Sequence, residues 1–99
     1  REAGPDLMPS PDGIREVLES VHTVEQLAAI EHERWAHWQQ YVHDQCERQD
    51  DGSLVIPAEL AARWQTQIET PYAELTEREK DSDREQVRRY LPIVVDVLT

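Results

Sequence analysis

The chain has 99 residues, of which 38% are apolar, so it can form one small domain with a lean core. Its net charge of −11, from 21 acidic and 10 basic residues, argues against binding to duplex DNA or RNA and to an anionic membrane. The single cysteine, Cys46, excludes an intramolecular disulfide and a cysteine zinc site, and it predicts a reducing, cytoplasmic location.

The N-terminal third of the chain predicts an arm followed by two helices. Residues 1–13 contain three prolines and two glycines and are expected to form a flexible arm. Apolar spacing predicts a short helix from about Pro11 to Ser20. Thr23, with Gln26 as its capping-box partner, is expected to cap a second helix that ends near Cys46.

The middle of the chain predicts a turn, an extended segment and a third helix. Residues 49–53 have the composition of a turn, and residues 54–56 are expected to be extended. Pro57 can occupy the first turn of the third helix. Thr70-Pro71 is expected to interrupt that helix, because the residue before a proline avoids the helical conformation.

A capping box formed by Thr76 and Glu79 predicts the start of the last helix, which should reach at least Tyr90. Pro92 either ends this helix or begins another turn. The β-branched segment 93–98 is short, and we expect it to be helical.

Together these elements predict an all-α fold, a compact bundle of three main helices plus a short N-terminal helix. Residues 14–99 are expected to form one domain. The lean core favours oligomerisation, since a partner could supply further burial. Because the chain begins with Arg1 rather than methionine, we expect a processed or excised piece of a longer protein.

The second helix has a predicted core stripe with a charged residue in it. The stripe consists of Val24, Leu27, Ala28, Glu31, Trp35, Trp38 and Val42. Glu31 occupies a position where an apolar residue is expected. It either reaches the rim and pairs with Arg34, or forms a half-buried carboxylate that orients an arginine or binds a ligand.

The last helix has the complementary pattern, since its apolar stripe begins with Lys80 and Arg84. Glu31 opposite either cation would form a structural ion pair. If one cation remains free, an anionic ligand could bind it, with Trp35 or Trp38 as a stacking surface. We therefore expect Glu31 to be at least half buried and Trp35 to be a core residue.

The sequence offers no support for catalysis or for a metal site. His32 and His37 are five residues apart, and Ala36 stands where a His-Glu-x-x-His zinc motif requires histidine. Cys46 and Ser53 lack the sequence context of a nucleophile. No glycine-rich phosphate loop is present.

Two blocks of the chain resemble the ryanodine receptor repeat (RyR) domain, a small helical module. The first block is Glu31-His32-Glu33-Arg34-Trp35. The second comprises Pro71-Tyr72-Ala73-Glu74-Leu75, then Glu79-Lys80-Asp81-Ser82-Asp83-Arg84, and Val87-Arg88. Between the blocks, residues 41–69 depart from the family pattern, which usually has a Gly-Trp-x-Tyr-Gly stretch.

The resemblance implies a non-enzymatic module of phage or prokaryotic type, without a cofactor, that senses a nucleotide-like anion in phage–bacterium conflict. The expected ligand-binding residues are Glu31, Arg34, Trp35, Tyr72, Lys80 and Arg84. The alternative is a protein-interaction or dimerisation module in which these residues are structural. A third hypothesis is an acidic decoy of a nucleic-acid-binding protein.

Overall fold

The fold comes from a computed structural model, which describes residues 10–99. These residues are 78% helical, which confirms the all-α prediction of three main helices and a short N-terminal helix. In chain order the elements are α1 (Pro11–Leu18), α2 (Val21–Gln45), β1 (Glu47–Arg48), β2 (Leu54–Val55), α3 (Ala58–Glu69), a 3₁₀ turn (Tyr72–Glu74) and α4 (Glu77–Leu98). Residues 1–9 of the predicted arm lie outside the described residues. Residues 11–13, which were also assigned to the arm, form the beginning of α1.

The corner between α1 and α2 differs from the sequence prediction. Ser20, not Thr23, is the N-cap of α2, and its hydroxyl accepts a hydrogen bond from the Thr23 backbone N–H. The Thr23 side chain instead donates to the carbonyl of Val17 at 2.9 Å, and it is only 1% exposed. The predicted Thr23 cap is therefore wrong. Thr23 closes the corner, and the Oε1 atom of Gln26 is buried with no hydrogen-bond partner among the described residues.

The segment after α2 forms a short antiparallel hairpin. Glu47 of β1 pairs with Val55 of β2. Gly52 has a φ of 89° in the connecting turn, a conformation that favours glycine. The turn and the extended segment at residues 54–55 are thus confirmed, while the partner strand β1 had not been predicted.

Local signals place the boundaries of α3 and α4 well. Pro57 immediately precedes α3, and Thr70 caps its C-terminus. Both hydrogen bonds of the predicted capping box between Thr76 and Glu79 are present at the start of α4. Helix α4 continues through Pro92 to Leu98, so the expected helical tail is confirmed.

The helices are arranged in an elongated molecule. Helix α2 packs against α1 and α4. The principal extents are 65 × 33 × 17 Å, and the Cα radius of gyration is 19.6 Å, whereas a compact chain of this length has about 13 Å. Within residues 10–99, Thr23 is the only fully buried residue, and no apolar side chain is buried. The described chain is more elongated than the compact arrangement expected from the sequence.

Candidate functional site

Glu31, Arg34 and Tyr90 form a polar clamp between α2 and α4. The Arg34 Nε atom lies 3.1 Å from each oxygen of the Glu31 carboxylate, and its Nη2 atom also contacts Oε1. The Tyr90 hydroxyl donates a hydrogen bond to Glu31 Oε2 across the helix interface. A carboxylate with three donors is stabilised in its charged form, so the clamp joins the two helices through an ionised Glu31.

The ionisation of the clamp follows from these hydrogen bonds. The bond from Arg34, followed by that from Tyr90, lowers the pKa of Glu31 to about 2. The same contacts raise the pKa of Arg34. The hydrogen bond that Tyr90 donates to the Glu31 carboxylate raises the pKa of Tyr90, because the neighbouring anion opposes loss of the hydroxyl proton.

Lys80 and Arg84 form a second group near the start of α4. Arg84 Nη1 lies 2.7 Å from Asp81 Oδ1 and 3.1 Å from Glu77 Oε2. These bonds raise the pKa of Arg84, with the Asp81 contribution the larger. The Lys80 ammonium lies 3.8 Å from Glu77 and 5.7 Å from the centroid of the Tyr72 ring, a cation–π geometry.

The six residues expected to line one pocket thus belong to separate groups. Glu31 pairs with Arg34, which was one of the two alternatives, and in the described part of the chain it forms no ion pair with Lys80 or Arg84. Lys80 and Tyr90 are ten positions apart on α4, which corresponds to about 15 Å along the helix axis. The Glu31 side chain is 51% exposed, so the prediction that it is at least half buried is not met.

The apolar surface of α2 is also oriented differently from the prediction. In the first half of α2 the less exposed residues are Thr23, Gln26, Leu27, Ile30 and Arg34, and α1 and α4 pack against this helix. Trp35 is 53% exposed, and its ring stacks on His32 with 5.9 Å between centroids. The prediction of Trp35 as a core residue is therefore wrong. Apart from Leu27, the predicted stripe is rotated by about 100°, one residue on a helical wheel, from the less exposed face.

Two aromatic contacts follow Trp35 along α2. Trp38 stacks on Tyr41 at 5.4 Å and meets Trp64 of α3 edge-on at 5.9 Å. Trp38 nevertheless remains 45% exposed. The aromatic side chains of α2 therefore form a partly open surface, with α3 along one flank.

Sequence reasoning missed Tyr90 as a site residue. Tyr90 follows Val87 by three residues and so lies close to the predicted apolar stripe of α4. This spacing was the only feature of the sequence that indicated where the Tyr90 side chain points. Within residues 10–99, no cluster of three or more histidine, cysteine or acidic side chains is arranged to hold a metal ion. None of the described helices has the length and apolar character needed to cross a membrane.

Comparisons with protein-family models, curated proteins and solved structures found no match to this chain. The resemblance to the RyR domain therefore stays a prediction that rests on residues 31–35 and 71–88.

Proposed function

We propose that this chain is a non-enzymatic protein-interaction module that binds its partner through the open face of α2. The observation that carries the proposal is the exposure of Trp35, together with that of Val24 and Trp38 on the same helix. Large aromatic side chains are enriched at protein interfaces, where they supply much of the binding energy.

The total surface of the chain supports the same proposal. Its solvent-accessible surface is 8211 Å², whereas a folded monomer of this mass has about 5,800 Å². The excess of roughly 2,400 Å² is large beside the about 800 Å² that each partner buries in a standard interface. Half of that excess exceeds the area that one partner buries in a standard interface.

The polar groups favour an interaction module over a sensor of nucleotide-like anions. Arg84 is already bound by Asp81 and Glu77, so an anionic ligand would have to displace two carboxylates. Glu31 is bound by Arg34 and Tyr90 in the same way. The bonds of Arg84 lie within α4, and the bond from Tyr90 to Glu31 joins α4 to α2. Both residues therefore have partners within the chain, as the interaction hypothesis expects. The single cysteine supports a cytoplasmic location for this module.

The test is the variant Trp35→Ala in urea melts at low protein concentration. We expect the free energy of unfolding to fall by less than about 1 kcal/mol, because truncating a half-exposed side chain removes few packing contacts. A loss of about 3–5 kcal/mol, typical of a buried tryptophan, would show that Trp35 belongs to the core and would overturn the proposal.

A thermal-shift screen with mono-, di- and cyclic nucleotides tests the competing ligand hypothesis. A ligand that binds the native state raises the melting temperature by mass action. We expect no shift. A nucleotide that stabilises the wild type but not Arg84→Ala would support the sensor hypothesis instead.

A further inference from the structure

The open face of α2 has the residue spacing of a coiled-coil seam. Its members follow one another at alternating intervals of four and three residues, and we call them the α2 stripe: Val24, Ala28, Glu31, Trp35, Trp38 and Val42. Such alternation keeps one face of a helix against a partner helix over several turns. The 25 residues of α2 extend for about 37 Å, which is long enough for this packing.

We propose that a second copy of this chain packs on the α2 stripe, with the two α2 helices antiparallel about a two-fold axis near position 33. This inference rests on the proposed function and names its partner. The neighbouring side of α2, including Leu27 and Ile30, is less exposed, and α1 and α4 pack on this helix. On the stripe, Trp38 also contacts Trp64 of α3 and Val42 is half-buried. The other apolar members are exposed, so this side of the helix is the one left to a partner.

The charge on the stripe is compatible with a second copy. Glu31 is its only ionised residue, and Arg34 of the same chain already neutralises that carboxylate. A partner of opposite charge is therefore not required at the seam, although the chain as a whole carries −11. A two-fold interface needs one self-complementary patch, and a locally neutral apolar stripe meets this condition.

The order of residues along the stripe selects the antiparallel arrangement. With the axis near position 33, Ala28 lies opposite Trp38 of the second copy, so a small side chain faces a large one. Val24 lies opposite Val42, and Glu31 lies opposite Trp35. A parallel pair would instead place the two Glu31 carboxylates opposite each other and would stack the bulky Trp35 side chains at one level.

Two adjacent alanines provide a matched test of the interface. Ala28 is on the stripe, and Ala29 is on another side of the helix, and both are exposed in the single chain. Ala28→Glu and Ala29→Glu make the same change in charge and volume. In sedimentation equilibrium over a concentration series, we expect the wild type and Ala29→Glu to dimerise alike. We expect Ala28→Glu to weaken the dimer at least about 30-fold, because the charge would lie against Trp38 of the second copy inside the seam.

The outcomes separate this inference from the proposed function. A wild type that stays monomeric at every concentration overturns the dimer, and so does equal dimerisation of the two glutamate variants. Circular dichroism melts of both variants show whether either one has lost its fold. The proposed function is tested separately by the Trp35→Ala melt at a concentration where the chain is monomeric, and a large loss of stability there would overturn it.

Cross-linking tests the orientation. In a Cys46→Ser background, Val24→Cys and Val42→Cys chains are mixed under mild oxidation. The antiparallel dimer predicts a disulfide between the two different variants and little within either variant alone. Efficient cross-linking of each variant with itself would show a parallel pair and would overturn the antiparallel assignment.

Discussion

Thr23→Val should destabilise the chain measurably, although it changes the shape of the side chain very little. Thr23 is the only fully buried residue in the part of the chain that the structure describes. Its hydroxyl donates to the Val17 carbonyl at 2.9 Å and accepts from the Ser20 hydroxyl at 3.0 Å. Valine keeps the branched shape and removes both hydrogen bonds at the corner between α1 and α2.

The expected decrease in unfolding free energy follows from the hydrogen bonds that Val17 and Ser20 lose. The Val17 carbonyl keeps only the longer bond from the Ser20 backbone N–H, at 3.3 Å. The Ser20 hydroxyl loses its acceptor, while it still receives the Thr23 N–H as the helix cap. With about 0.5–1.5 kcal/mol for each net hydrogen bond, we expect a loss of about 1–2 kcal/mol. In a domain this small, that is a substantial fraction of the total stability.

The assay is a urea melt followed by circular dichroism, with Thr66→Val as the control. Thr66 also donates its hydroxyl to a helix carbonyl, that of Ala62 at 3.1 Å, but it is exposed on α3. Water can replace that bond, so we expect the control to stay within about 0.5 kcal/mol of the wild type. Equal midpoints for the two valine variants, at one protein concentration, would refute the assignment of Thr23 as the residue that closes the corner.

The remaining predictions concern the polar clamp and one helix cap. The pKa of Glu31 lies near 2, below its ordinary 4.5, so its stabilising contribution is complete above about pH 5 and is lost as the pH falls towards 2. In melts between these pH values, the stability of Glu31→Gln should therefore depend less on pH than that of the wild type. Identical pH profiles for the two proteins would contradict this prediction. In an alkaline absorbance titration, one tyrosine of the wild type should ionise above the usual pH range, and Glu31→Gln should lower the pKa of Tyr90. The same titration curve for both proteins would count against the hydrogen bond between Tyr90 and Glu31. Thr76→Ala should cost about 1 kcal/mol in a urea melt, as expected for the loss of an N-cap, and no change would mean that the cap is dispensable.

The sequence was most informative where structure depends on neighbouring residues. The Thr76–Glu79 capping box and the break at Thr70-Pro71 are local, and the structure contains both. The same local reasoning failed at Thr23 because Ser20, three residues earlier, is an equally good cap. Only the contact of Thr23 with Val17 in the preceding helix decides between them.

The candidate site could be predicted only in part, because its contacts span different distances along the chain. Glu31 and Arg34 are three residues apart, so their ion pair was one of two alternatives that the sequence offered. Tyr90 is 59 residues from Glu31, and its hydroxyl reaches the carboxylate only because α4 packs against α2. No periodicity within one helix specifies that register.

The orientation of α2 explains why its charged position was misleading. Two apolar faces run along this helix, one through Leu27 and Ile30 and the other through Val24 and Trp35. Both satisfy the helical period, so the pattern alone cannot show which face packs within the chain. The structure directs the first face inward and leaves the second open.

Glu31 lies at the boundary of these two faces, and this position gives it two roles. Through Tyr90 it fixes α4 against α2, and through Arg34 its charge is neutralised beside the open stripe. Changes at Glu31 should therefore affect both folding and association. Changes at Ala28 should affect association alone, since the single chain leaves this side chain exposed. This separation lets the fold and the proposed interface be perturbed independently, although they share one helix.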